Sequence, residues 1–233
     1  MIQTPIKLSG SNIAKKQLQQ LVSIQDQGIK VYEWLEIQDV MIEPKIQQEL
    51  GYLVDRLLNY DTHLMNEATI WSRAIYPLLS LAEIGNIQAW AEVNLKATYP
   101  SFTIEAIADG VLGRSTSGTL ESPYLVVVEA KRGLEAENPV YQLYLQFLAA
   151  AWLNWQQIPL EPQIIFGAYT IADTWKLMKA EVEGFESDRP RLTLEASREF
   201  SEKLEAEIIL KILNKIVRQY LVQSDQMPKA TNT

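Results

Sequence analysis

Apolar positions recur first at helical spacing and then at strand spacing, and the change falls near residue 86. From Pro44, the residues Ile46, Leu50, Leu53, Val54, Leu57 and Leu58 keep one stripe, predicting a helix that Pro44 opens and Asn59-Tyr-Asp61 ends. A second helix is expected over 66–83. Asn66 supplies its cap, Ala68, Trp71, Ile75, Leu78, Leu79 and Ala82 its buried face, Pro77 a kink, and Gly85-Asn86 its stop. Residues 88–96 alternate instead, with Trp90 and Glu92 on one parity and Val93 and Leu95 on the other. Residues 102–109 alternate too, placing Phe102, Ile104, Ala106 and Ala108 on one side. A Gly-, Ser- and Thr-rich loop over 110–122 leads into a third strand, 123–132. A connection of that length suits an antiparallel pair and brings Asp109 level with Glu129.

Asn138-Pro139 opens the next helix, whose broad apolar face runs from Val140 through Leu143, Tyr144, Phe147, Leu148 and Ala151 to Trp152. Residues 159–162 end it, and 163–169 read as a buried strand. Strand, crossover helix and strand make a βαβ unit, so this pair is expected to be parallel. Residues 174–182 and 191–195 fit outer strands or a final hairpin. The last helix is expected over 200–222, with Leu204, Ile208, Ile212, Ile216 and Tyr220 four apart. Near the start, 11–25 holds a short helix around Leu18, Leu21 and Val22, and 30–39 fits either a strand or a helical turn. The fold class expected is α/β: a mixed central sheet flanked by helices, with an N-terminal helical extension. No repeat or low-complexity linker divides the chain, so 1–233 reads as one domain. Its parts are a mostly helical extension (1–60), a core (66–170), a C-terminal helix (198–222) and a disordered tail (224–233).

Composition bounds the chemistry. At 47% hydrophobic and 21% charged, the chain is ordinary globular protein. The absence of cysteine excludes disulfides, thiolate zinc and a cysteine nucleophile, and makes a reducing cytoplasm the default location. No apolar run is long enough to span a bilayer, and the first residues lack the pattern of a signal peptide. A net charge of −8 argues against bulk attraction of nucleic acid, though not against a local basic groove or a metal-bridged phosphate.

The third strand carries the candidate chemistry. Glu129 and Lys131 are two apart, so both leave one face of the sheet, while Val126, Val128 and Ala130 take the other parity. An acid and a base at the end of a buried strand cost free energy unless compensated. Asp109 adds a second carboxylate, and Glu67, in the first turn of its helix, a third. Carboxylates converging beside a lysine suit Mg²⁺, with Mn²⁺ as a substitute, and the Ala130 carbonyl offers a further ligand. A lysine there holds or helps deprotonate an attacking water. For Glu67, a helix-start carboxylate satisfying the dipole is an equal alternative.

These residues resemble the PD-(D/E)XK nuclease superfamily. Asp109 stands ahead of Glu129-Ala130-Lys131, and Val127-Val-Glu-Ala-Lys-Arg132 is similar to the core motif of the N-terminal nuclease domain of type I restriction subunits. Asn66-Glu-Ala-Thr-Ile-Trp-Ser-Arg-Ala-Ile-Tyr-Pro-Leu-Leu79 is similar to that domain's leading helix, so the likeness covers roughly 66–170. The resemblance implies a restriction-endonuclease-like core, DNA as partner and metal-dependent phosphodiester hydrolysis. It implies Asp109 and Glu129 as metal ligands, Lys131 as the catalytic lysine, Glu67 as an accessory ligand and Gln142 as a helix residue at the site. Two positions depart from the pattern: Ala108 stands where Pro is frequent, and Gln146 where Tyr would follow Gln142. No helicase or ATPase motif occurs in the chain, so the motor role of a type I subunit is not carried over. A homodimer through the last helix is a candidate assembly for cutting both strands. The alternative to an enzyme is a non-catalytic scaffold that binds nucleic acid or a protein.

Other features read as structural. His63 lacks a histidine partner and is expected on the surface. Trp71, Trp90, Trp152 and Trp155 fall on apolar faces and read as core. Gln146 reads as solvated. Lys203, Lys211, Lys215 and Arg218 fit either a phosphate-tracking face or, more commonly, a solvated one balanced by Glu202, Glu205 and Glu207.

Overall fold

The computed structural model describes residues 5–9, 15–134 and 138–226. In chain order it contains β1 (Ile6–Ser9), α1 (Lys15–Leu21), β2 (Ser23–Ile29), a 3₁₀ turn (Glu33–Leu35) and α2 (Pro44–Leu58). A second 3₁₀ turn (Thr62–Leu64), α3 (Glu67–Ile70), a π-helical turn (Trp71–Ile75) and α4 (Tyr76–Ser80) follow. Then come β3 (Ile87–Thr98), β4 (Phe102–Thr116), β5 (Thr119–Lys131), α5 (Val140–Gln157), β6 (Gln163–Ile171), β7 (Thr174–Glu183), β8 (Arg191–Ser201) and α6 (Glu202–Gln226).

The strands form one mixed eight-stranded sheet in the order β1-β4-β5-β6-β7-β8-β2, with β3 pairing the opposite edge of β4. As expected, β4 and β5 are antiparallel and β5 and β6 are parallel across α5, but the loop expected over 110–122 is not there: β4 runs on to Thr116 and β5 begins at Thr119, so the small residues of that stretch pair in the ladder and only Ser117-Gly118 turn. On one face, α5 buries Leu143, Phe147 and Leu148 in a cluster with Phe102, Ile104, Ala108 and Val127. On the other, α2, α4 and α6 pack over Leu112, Val126 and Val128. The protein is thus α/β, its mixed sheet flanked by helices. No described helix is long and apolar enough to cross a membrane.

The leading helix is broken into three pieces. Asn66 caps it as expected, its side-chain oxygen accepting from the Thr69 N–H at 2.8 Å. Pro77 has no N–H to give the preceding turn, and the chain widens into a π turn just before it. In β3, Glu92 adopts φ +52°, and the strand turns over there. Ile87 and Ala89 join the α2, α4 and α6 cluster, whereas Leu95 and Ala97, of the same parity, join the α5 cluster. Across the ladder the turn-over falls at Asp109, between the pairs Ala91–Gly110 and Val93–Ala108.

The N-terminal segment departs from the helical extension expected over 1–60. β1 pairs parallel with Phe102–Glu105 of β4, and β2 pairs parallel with β8 at the far edge. Both strands are short and mostly exposed, Leu8 being the one buried residue of β1, so neither leaves an alternating signal. Residues 174–201 form the hairpin alternative, β7 against β8. Phe200 still belongs to β8, and Leu204 is 80% exposed because Glu205 leaves helical geometry (φ −133°) and resets the face of α6. The α6 core is instead Ala206, Ile209, Leu210, Leu213 and Val217, with Ile212 and Ile216 from the expected stripe. Trp71, Trp90, Trp152 and Trp155 are only partly buried; Trp34 and Trp175 are the buried indoles. His63 is exposed. The expected tail is helical at Ser224, and beyond residue 226 it lies outside the described residues.

Candidate active site

β4 and β5 pair from their hairpin as far as Gly110 and Val128 and then part. β1 takes up the same edge of β4 further on. At the fork, Asp109 Oδ2 accepts a hydrogen bond from the Ala130 N–H at 2.6 Å. A residue's N–H and C=O point to the same edge of a strand, so the Ala130 carbonyl also faces this gap. The Lys131 carbonyl faces the other way and accepts from the Ala172 N–H at 2.9 Å.

The Glu-Ala-Lys alternation places its two charged side chains together, Lys131 Nζ lying 2.7 Å from Glu129 Oε1. Both are withdrawn from solvent, with side-chain exposures of 3% for Glu129 and 14% for Lys131. Glu67, half-exposed at the start of α3, brings Oε2 within 3.9 Å of Lys131 Nζ. Gln142, on α5, lines the same cavity of about 520 Å³ as Asp109, Glu129 and Lys131, with Asn94 and Lys96 of β3 at its wall.

Gln146 corrects the sequence reading. It is buried, not solvated, and its Nε2 donates both to Glu129 Oε2 at 2.5 Å and to the Ile107 carbonyl at 3.0 Å. It therefore ties β4 to β5 where their own ladder has stopped. Its Oε1 is buried with no hydrogen-bond partner among the described residues. The sequence did hold a signal. Gln146 is three residues after Leu143 and four before Ala150, so it sits on the apolar stripe of α5.

Burial, and then the neighbouring charge of Glu129, push the Asp109 carboxyl up to about 7, against the opposing pull of the Ala130 N–H and Lys131. Burial also raises Glu129, opposed by Lys131 and Gln146. For Lys131 burial is the largest influence and disfavours the charge. Glu129, Glu67 and Asp109 together outweigh it and hold the ammonium protonated. The site is thus short of positive charge: two carboxylates and one ammonium in a recess that water screens poorly.

That shortfall, with two carboxylates and a carbonyl as hard oxygen donors, fits a divalent cation at Asp109, Glu129 and Ala130. Glu67 lies against Lys131, its Oε2 at 3.9 Å from the ammonium. Among the described residues no three histidine or carboxylate side chains converge as a ready-made metal cage. The α6 cations are not arrayed for phosphate either. Lys203 donates to the Tyr60 carbonyl at 2.7 Å, Lys215 to those of Glu33 and Glu36 at 2.6 and 2.9 Å, and Arg218 to that of Met41. Lys211 pairs with Glu207 at 2.7 Å. Glu202 is fully buried and balances none of them. No family model matches the chain, and comparison with curated proteins finds no match.

Proposed function

We propose that this chain is a divalent-cation-dependent phosphodiester hydrolase acting on DNA, built on a restriction-endonuclease-like core of the PD-(D/E)XK type. The observation that carries the reading is the fork itself. Asp109 from one strand is bonded to Ala130 of the next, and Glu129 and Lys131 flank that residue, paired at 2.7 Å. Asp109, Glu129 and the Ala130 carbonyl are the groups that would hold Mg²⁺ or Mn²⁺. When bound, such an ion neutralises the carboxylates and stabilises charge on the scissile phosphate.

The chain's own residues do the rest. The Lys131 ammonium, recessed and protonated, meets a phosphate oxygen or orients the attacking water. Glu67 shares the charge of Lys131 with Glu129. Gln146 fixes one oxygen of Glu129, leaving the other to Lys131. Gln142 and Lys96, which both line the cavity, would contact the sugar-phosphate backbone on a molecule whose overall charge is unfavourable to it.

Calorimetric titration with Mn²⁺ and Mg²⁺ tests the reading. Saturable binding that is lost in Asp109→Asn supports it. No binding up to millimolar cation, with or without DNA, favours a non-catalytic module that binds nucleic acid or a protein.

A further inference from the structure

A second cavity, of about 510 Å³, opens beside the middle of β5, where Leu125 lines it. At about 3.3 Å per residue, Leu125 is roughly 20 Å along the strand from Lys131. Its walls are aromatic. Trp34 comes from the first 3₁₀ turn and Tyr32 from the residue just before it, Phe166 from β6 and Tyr220 from α6. Tyr32 and Trp34 are stacked at 16°, and Trp34 meets Phe166 at 5.6 Å between ring centroids.

Glu195 and Lys179 stand among these rings, and their charges are unevenly matched. Lys179 Nζ is 2.6 Å from Glu181 and 4.0 Å from Glu195. Glu195 Oε2 accepts from the Trp34 indole N–H at 2.8 Å, which satisfies one oxygen without neutralising the carboxylate. With Glu33 also at the wall, the lining groups Glu33, Glu195 and Lys179 carry a net charge of −1. The carboxylate is only 24% exposed, where an incompletely paired charge is costly. An aromatic-walled recess with surplus negative charge has the chemistry that receives organic ammonium groups, since ring faces and a carboxylate both attract a weakly hydrated cation.

We propose that this cavity binds an organic cation: an ammonium or guanidinium group on an apolar stem. The site is independent of the phosphodiesterase reading and needs no metal. A free quaternary ammonium compound and a lysine or arginine side chain share this chemistry, and the experiment separates them.

The test follows the Trp34 indole N–H by two-dimensional NMR, assigned by its disappearance in Trp34→Phe. The full chain is titrated with benzyltrimethylammonium, with its neutral isostere neopentylbenzene, and with N-acetyl-lysine and N-acetyl-arginine amides. The expected result is a saturable shift of this resonance with the cations and none with the isostere. The tighter of the two cation classes identifies the source. Glu195→Gln keeps an acceptor for the indole and removes only the charge, so it should weaken binding by about tenfold. The remaining indole resonances report that this variant is folded, and Tyr220→Leu supplies a second variant expected to weaken binding. The proposal is overturned if no cation gives a saturable shift up to tens of millimolar. It is equally overturned if the isostere binds as well, or if Glu195→Gln binds as the wild type does.

Discussion

Asp109 Oδ2 lies 2.6 Å from the Ala130 amide nitrogen, so a side chain occupies the place of the next rung in the β4–β5 ladder. Burial, and then Glu129, raise the pKa of this carboxyl from 3.8 to about 7 against the pull of that bond. Without a divalent cation, the folded state therefore holds this proton more tightly than the unfolded chain does. At about pH 3 or below both states are protonated and no penalty exists; it builds as pH rises through the unfolded value of 3.8 and is complete above about 7. Asp109→Asn keeps an acceptor for Ala130 and removes the penalty. Urea denaturation should find the variant more stable than wild type by on the order of 2 kcal/mol at slightly alkaline pH and indistinguishable at about pH 3. A wild type that keeps the advantage at alkaline pH contradicts the assignment.

Gln146→Leu tests the brace between the parting strands. The substitution fills the volume but strands the Ile107 carbonyl and one oxygen of Glu129 without their donor. Loss of the unpaired Gln146 oxygen returns part of the cost, leaving a net destabilisation of about 1–3 kcal/mol. Cation affinity should fall with it, because the second oxygen of Glu129 is then no longer held in place. Unchanged urea midpoint and unchanged calorimetry would remove Gln146 from the site.

The fork also depends on a missing side chain. A Cβ on Gly110 would come within 2.5 Å of Trp71 Cη2 and 3.0 Å of Leu79 Cδ2. Trp71 follows α3, which carries Glu67, so the glycine lets that helix lie against the strand next to Asp109. Gly110→Ala should cost about 1–3 kcal/mol by overpacking and weaken the approach of Glu67 to Lys131. A thermal melt at wild-type temperature argues against this packing.

Glu202 shares with Asp109 a pKa raised mainly by burial. It is fully buried, accepts from the Trp175 indole at 2.7 Å, and its second oxygen has no partner among the described residues. Burial raises its pKa from 4.5 to about 8, so the destabilising charge appears as pH climbs through that range. Glu202→Gln should therefore stabilise the fold by on the order of 2 kcal/mol above about pH 9 and have no effect near pH 4. Added Mn²⁺ should leave this difference unchanged, whereas it should erase that of Asp109→Asn.

The candidate site was more legible than the sheet that holds it. Glu129 and Lys131 had to share a face because strand alternation puts residues two apart on one side, whereas the small residues of 110–122 passed for a loop although they continue both strands to a tight turn. β1 and β2 were missed because a strand of four residues with one buried position, and one with none, carries no periodic signal. Leu204 misled because a backbone break at Glu205 resets the helical phase, which spacing alone does not register. The same holds for Glu92, whose positive φ turns β3 over so that residues of one parity reach both cores. Gln146 was misread because polarity was taken for exposure. Its position on an apolar stripe was the better guide, since a polar group placed there must find a partner inside.

Cleavage of DNA by the purified chain tests the central claim most directly. In Mn²⁺ or Mg²⁺ the wild type is expected to nick plasmid or degrade single-stranded DNA. Lys131→Ala and Asp109→Ala should each lower the rate by about two orders of magnitude or more. Cleavage that persists undiminished in both variants, or a wild type that binds the cation and cuts no DNA, would contradict the account.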